Sequence, residues 1–252
     1  MRFDALPGSR VEAAAVANLW KRLRAEISST EDSATVLTGT NATESAFKTL
    51  GGNHRVLHLA THGFFLGGGC VPSAAGTRAV GGLVSPHSAA DSTPPSLAAS
   101  ARTSSLENPL MLSGLAFAGA NLRAQAVPGE DDGILTAEEV TSMNLEGVEW
   151  VVLSACDTGL GTVTAGEGVL GLRRAFQIAG AHTVIMSLWA VEDGASTRQW
   201  MEALYRARLG DHLDTADAMR QASLAMIRER KARGQSTNPF FWGAFVAAGD
   251  WH

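Results

Sequence analysis

Apolar side chains recur every fourth position across residues 11–27 (Val11, Ala15, Leu19, Leu23, Ile27), with Lys21, Arg22 and Glu26 off that line. This period predicts an amphipathic helix lying on a sheet. Residues 35–38, TVLT, read as a short strand ending at Gly39, and Glu44–Leu50 as a helix behind a Thr-rich cap. Residues 55–63 then give a buried strand that stops at a glycine, with His62 at its C-terminal tip. Order returns at 109–117, and Thr136 and Glu139 stand at the spacing of a capping box that starts a short helix. An apolar strand over 148–155 ends at Cys156, and a helix over 167–179 carries Leu170, Arg174 and Ile178 at turn spacing. A third clear strand spans 182–189, helices span 195–209 and 216–230, and a last apolar segment spans 240–246. Strand and helix alternate, so the expected class is α/β, a mainly parallel sheet flanked by helices on both faces.

Residues 66–107 break the pattern. Of these 42 residues 26 are Gly, Pro, Ser or Ala and four are charged, and no period persists, which predicts a long flexible loop. Closure entropy grows only logarithmically with length, so a fold tolerates such an insertion.

Composition narrows the function classes. The 252 residues are 45% hydrophobic and 18% charged, enough to bury a core and too apolar for disorder. A formal charge of -5 offers no broad basic surface, so nucleic acid is not expected as a direct partner. Only Cys70 and Cys156 are present, and no charged leader precedes an apolar stretch, which points to a reducing cytoplasm. Every apolar run is interrupted well before 18 residues, so no membrane helix is expected.

In open parallel sheets reactive groups gather at the carboxyl ends of strands. Two predicted strands here deliver THG, with His62, and SACDTG, with Cys156. A thiol becomes a strong nucleophile once an imidazole takes its proton, and the imidazolium can then protonate a leaving amine. The backbone N–H groups of Gly63 and Cys156 would serve as the oxyanion donors. On the residues alone, a buried cysteine and a core histidine that never meet remains an open alternative. His54, His58 and His62 recur every four residues as metal ligands on a helix would. On a strand they would spread over about 26 Å, so no metal is expected, and His58 reads as a packed or supporting residue. The glycines of 161–171 lack both dinucleotide and Walker registers, so no nucleotide site is expected.

The blocks VLHLATHGFF, PLMLSGLAFAGA, DDGILTAEEV, VVLSACDTGLG, GEGVLGLRRAFQIAGAHTVIMSLWAVED and NPFFWGAFVAAGDW, in this order, closely resemble the CHAT domain. That family is caspase-like, belongs with caspases and separases, and is often joined to tetratricopeptide repeats. The resemblance runs from about Leu6 to the C-terminus, skipping 66–107. It implies a caspase-haemoglobinase fold, one domain over 1–252 with an insertion at about 66–107, and a cysteine endopeptidase that needs no cofactor. In it His62 matches the base, Cys156 the nucleophile, and the Gly63 and Cys156 amides the oxyanion hole. His62 and Cys156 stand 94 residues apart, 52 without the loop, close to the ~50 of caspases. The partners implied are a protein or peptide substrate and a regulatory protein or repeat domain.

The segment SLWAVED resembles the separase stretch that lends an acidic residue to the S1 pocket, which would set Asp193 against a substrate arginine. Alternatively Glu192 and Asp193 cap the helix beginning near Gly194. Asp157 is a second candidate for substrate contact, or it holds its own loop. Were basic residues preferred, Arg78 and Arg102 would be cleavage points within the insertion, which otherwise reads as a spacer. Longer CHAT proteins carry more sequence before the block at Leu6, so this chain has the look of an excised domain. Two rival functions stay open: a catalytically idle peptide-binding module of the same fold, and an acyltransferase using the same Cys-His pair.

Overall fold

The computed structural model describes residues 2–25, 33–65, 110–127, 129–154, 171–189 and 191–250. Its strands are β1 (Val56–Leu59), β2 (His62–Phe65), β3 (Ser113–Ala116), β4 (Ile134–Thr136), β5 (Trp150–Leu153), β6 (Thr183–Ser187) and β7 (Phe245–Gly249). Its α-helices are α1 (Pro7–Ala25), α2 (Glu44–Leu50), α3 (Ala137–Thr141), α4 (Leu172–Ile178), α5 (Ala195–Leu209) and α6 (Thr215–Ala232).

β1, β5, β6 and β7 form one four-stranded sheet in that order. β1 runs parallel to β5 and β5 to β6, while β7 closes the far side antiparallel to β6. Side chains of β5 and β6 alternate between two cores, as the period of a strand requires. Trp150, Val152 and Ile185 enter a core built with Val16 and Leu19 of α1, Trp200 and Leu204 of α5, and Ala222 and Met226 of α6. Val151, Leu153, Val184 and Met186 enter the opposite core, with Phe47 of α2, Val140 of α3 and Phe176 of α4. Helices therefore cover both faces, and the continuous apolar runs of β5 and β6 reflect a sheet with no solvent side. This is the expected α/β, caspase-like architecture.

A second sheet was not apparent from the pattern. β2, β3 and β4 form a three-stranded antiparallel sheet. The expected single strand over 55–63 is two strands: β1 ends at Leu59, Ala60 and Thr61 turn the chain out of the main sheet, and β2 begins at His62. Thr61 Oγ1 donates to the Ala116 carbonyl at the crossing, tying the turn to β3. His62 is thus the first residue of a strand in the small sheet, not the tip of one in the large sheet.

Other corrections share a cause in tertiary contact. Residues 35–38 form no strand: Val36 and Leu37 are exposed, and among the described residues no strand pairs with them. On α1 the buried line is Ser9, Glu12, Val16 and Leu19, while Val11 faces solvent. The helix is rotated from its apolar stripe because Glu12 turns inward to meet His58. On α4 the buried residues are Leu172, Ala175 and Phe176, and Ile178 is exposed. The capping box stands as read: Glu139 N–H donates to Thr136 Oγ1 at 3.2 Å and Thr136 N–H to Glu139 Oε2 at 2.8 Å. α5 has the bounds expected of it. The last apolar segment resolves into a turn at Pro239–Phe241 followed by β7. Cys70, Arg78, Arg102 and the 66–107 insertion lie outside the described residues.

Candidate active site

β1 and β5 lie side by side with Leu59 paired to Leu153, so their carboxyl ends leave the sheet at one edge. His62 follows Leu59 by three positions, and Cys156 follows Leu153 by three. Cys156 and Asp157 lie outside the described residues, so the described geometry is that of the histidine side.

His62 is buried. Its Nε2 lies 2.7 Å from the Asp4 carbonyl oxygen, which can only accept, so Nε2 carries a proton and, in the neutral ring, Nδ1 holds the lone pair. Nδ1 is buried and has no hydrogen-bond partner among the described residues. Its ring packs on Phe3, centroids 5.5 Å apart, and Phe3 packs on Phe64. An imidazole with one nitrogen fixed by a backbone carbonyl and the other unprotonated and unpartnered is arranged to take a proton. Gly63, also buried, follows in β2 opposite Leu115.

A cavity of about 660 Å³ opens beside this histidine, lined among others by Phe3, Asp4, Leu37, Phe47, His62 and Leu122. The segment before α1 forms one wall. That segment is anchored at its far end by Asp193, whose Oδ2 accepts from Gly8 N–H at 2.8 Å and whose Oδ1 accepts from Ser9 Oγ at 3.1 Å. A Cβ on Gly8 would lie 2.4 Å from the Asp193 carbonyl oxygen, so glycine is needed for this approach. The carboxylate therefore caps the first turn of α1, a helix remote in sequence.

The three histidines at four-residue spacing do not converge on one ion. His54 Nδ1 bonds to the Leu50 carbonyl oxygen at 2.9 Å, and His62 to Asp4 as described. His58 is a supporting residue: Nε2 lies 3.0 Å from Glu12 Oε1 and Nδ1 3.1 Å from the Tyr205 hydroxyl. With Glu12 ionised and the ring neutral, Nε2 donates and Nδ1 accepts from the Tyr205 hydroxyl. Burial, reinforced by the Glu12 charge, pushes the Tyr205 phenol above its ordinary range, which keeps that donor protonated.

Glu44, Asp131 and Glu139 come close enough to share a cation. The Lys48 ammonium already sits among them, 2.6 Å from Glu44, 2.7 Å from Asp131 and 2.9 Å from Glu139. Burial alone would depress the Lys48 pKa, but its hydrogen bonds to the three carboxylates outweigh that and raise it. Burial pushes Glu44 above the usual carboxylate range despite Lys48. Burial also raises Glu139, yet hydrogen bonds from Lys48 and Thr136 prevail and leave it lowered.

The family profile of the CHAT domain matches residues 1–250. The chain belongs to the CHAT domain family. With the α/β sheet above, this places it among relatives of the caspase-like cysteine peptidases. Tetratricopeptide repeat protein 28 of Homo sapiens is 34% identical over 116 residues, 46% of this chain and 4% of that protein. The protein of the same name from Mus musculus is 33% identical over 116 residues, with the same coverage. The CHAT chain thus spans about 4% of the length of these curated relatives. Among its described residues no helix is long and apolar enough to cross a membrane.

Sequence reasoning missed Asp4, whose contribution is a backbone carbonyl, and Asn121, which holds the residue before it. Neither role depends on a recognisable motif, so only the long-range contact reveals it.

Proposed function

We propose that this CHAT chain is a cysteine endopeptidase that cleaves protein substrates with His62 as base and Cys156 as nucleophile. The observation that carries the reading is the pairing of His62 Nε2–H with the Asp4 carbonyl, which leaves Nδ1 as a buried proton acceptor. The equal offsets of His62 and Cys156 past paired strand residues support it.

The chemistry follows from the groups. Nδ1 takes the Cys156 thiol proton, and the thiolate sulfur forms a bond to the scissile carbonyl carbon. The electron pair moves to the oxygen, where the Gly63 and Cys156 amides donate, each worth about 3 to 4 kcal/mol of transition-state stabilisation. The imidazolium returns its proton to the departing amine, the C–N bond breaks, and a thioester remains. Water, deprotonated by the same imidazole, then releases the acid and restores the thiol.

Specificity for a basic residue before the cut is proposed through Asp193 and Asp157. Asp193 has a competing duty at α1, and the two are separable. Asp193→Ala should slow cleavage after arginine alone if the carboxylate receives substrate. An equal loss on every substrate, with a lower Tm, would assign it to α1 instead. A repeat-bearing or regulatory protein is the partner we propose, supported by the names of the relatives.

Turnover of a diverse fluorogenic peptide library, beside Cys156→Ala, tests the central reading. Activity confined to the wild-type chain is expected, with the variant equally folded. Equal cleavage by both would remove the peptidase assignment. Silence in both, with Cys156 inert to an electrophilic peptide probe, would favour the idle binding module.

A further inference from the structure

The candidate base is oriented by a backbone carbonyl, so what fixes that backbone also fixes the base. Phe3 N–H donates to Asn121 Oδ1 at 2.8 Å, and the Phe3 carbonyl accepts from Asn121 Nδ2 at 2.7 Å. One carboxamide thus pairs with both polar groups of residue 3, as a neighbouring strand would. Two bonds on one rigid amide set rotation as well as position. The next carbonyl along, that of Asp4, is the one that meets His62 Nε2. The buried Phe3 ring packs on the His62 imidazole from the same segment.

Asn121 is itself firmly placed. It lies in the turn Ala120–Gln125, entered through Gly119 at φ 102°, a left-handed conformation suited to glycine. Gly133 packs against the start of that turn so closely that a Cβ there would lie 2.4 Å from Ala120 N. Beyond Asp4, the next fixed point on the segment is the Asp193 anchor at Gly8 and Ser9.

Resting on the reading of His62 as base, we infer that Asn121 is a positioning residue for it, acting through the Phe3–Asp4 backbone. It keeps the Asp4 carbonyl against Nε2, which holds the proton on Nε2 and leaves Nδ1 as the acceptor. Without Asn121 the Phe3–Asp4 backbone loses both hydrogen bonds of this clamp and keeps only the packing of the Phe3 ring, and the imidazole samples both tautomers and other ring orientations. A base in the wrong tautomer offers an N–H where a lone pair is needed.

The test uses the full chain, wild type and Asn121→Ala, with ¹⁵N spectra of the histidine rings and steady-state peptide cleavage. In the wild type His62 should show a protonated Nε2 and a bare Nδ1, and in Asn121→Ala the two signals should average. In the variant kcat should fall about 10- to 100-fold with KM unchanged, since the role inferred for Asn121 is to orient the base rather than to bind substrate. A folded variant with the wild-type tautomer and unchanged kcat would overturn the inference, as would a loss confined to KM. If Asn121→Ala fails to fold, Asn121→Asp keeps the acceptor for Phe3 N–H, sets a carboxylate oxygen against the Phe3 carbonyl in place of the donor, and takes the same readouts. Should the wild-type chain cleave nothing and Cys156 stay inert to an electrophilic peptide probe, the peptidase reading fails by itself, and the tautomer comparison still decides the role of Asn121.

Discussion

Lys48 shows how a single side chain decides the fate of its neighbours. Its ammonium answers three carboxylates, one of them the buried Glu44, whose Oε2 also accepts Gly133 N–H at 2.9 Å. Lys48→Met should cost about 2 to 3 kcal/mol at pH 8, because a buried carboxylate is left without its cation. The deficit should shrink at acid pH. The raised pKa of Glu44 means that its protonated form is the one the fold favours, so stability from that shift is present at low pH and lost as pH rises through the folded value. Lys48 contributes with its own window: its raised pKa adds stability that is complete below the free lysine value and fades as pH rises through the folded one. Urea denaturation of both proteins at pH 4.5 and pH 8 reads the difference, and an equal deficit at the two would refute the account. Tyr205→Phe is a second check at this scale. It removes the donor to His58 Nδ1 and should destabilise by about 1 to 2 kcal/mol in the same assay, whereas no change would mean that the pair adds nothing.

At the scale of elements, the pattern along the chain was most informative where packing agrees with it. The capping box at Thr136 and the bounds of α5 could be read directly, because local hydrogen bonds and a 3.6-residue stripe lie within the segment that they define. The small sheet could not. Its strands are three or four residues long, too short for alternation to register, and β1 and β2 are separated by only Ala60 and Thr61. The rotation of α1 was hidden for another reason: Glu12 looks like a solvent residue until His58, from a different element, is seen to receive it. The candidate site divides the same way. His62 and Cys156 stand in recognisable blocks, while the Asp4 carbonyl and Asn121 depend on contacts across 58 and 118 residues. Gly133 tests this coupling between elements. Gly133→Ala places a side chain on a residue at φ 86° and against Ala120, and should lower stability by about 1 to 3 kcal/mol. It should also weaken the Asn121 clamp, so histidine tautomer and Tm ought to move together; a change in Tm alone would separate the turn from the base.

For the whole molecule, the described residues form two sheets, with Ala60 and Thr61 making the short crossing from β1 to β2. The large sheet supplies burial on both faces, and the small one brings His62 to the edge where β1 and β5 end. β2 and β3 are antiparallel neighbours, with Phe65 opposite Ser113. The chain therefore departs and returns at almost the same place. Replacing 68–108 by a short Gly/Ser turn should leave the calorimetric Tm within about 3 °C if those residues add no packing to the sheets. A larger fall would show that they contribute to the core. The same juxtaposition of Phe65 and Ser113 carries an evolutionary and a practical consequence. Closure costs only about 0.6 kcal/mol for each doubling of length, so selection has little thermodynamic reason to hold the intervening stretch at any particular size. If the calorimetric comparison finds no packing there, lineages would be free to lengthen, trim or rewrite it, and a fluorescent reporter or recognition module grafted at that junction should leave β2 and β3 in register.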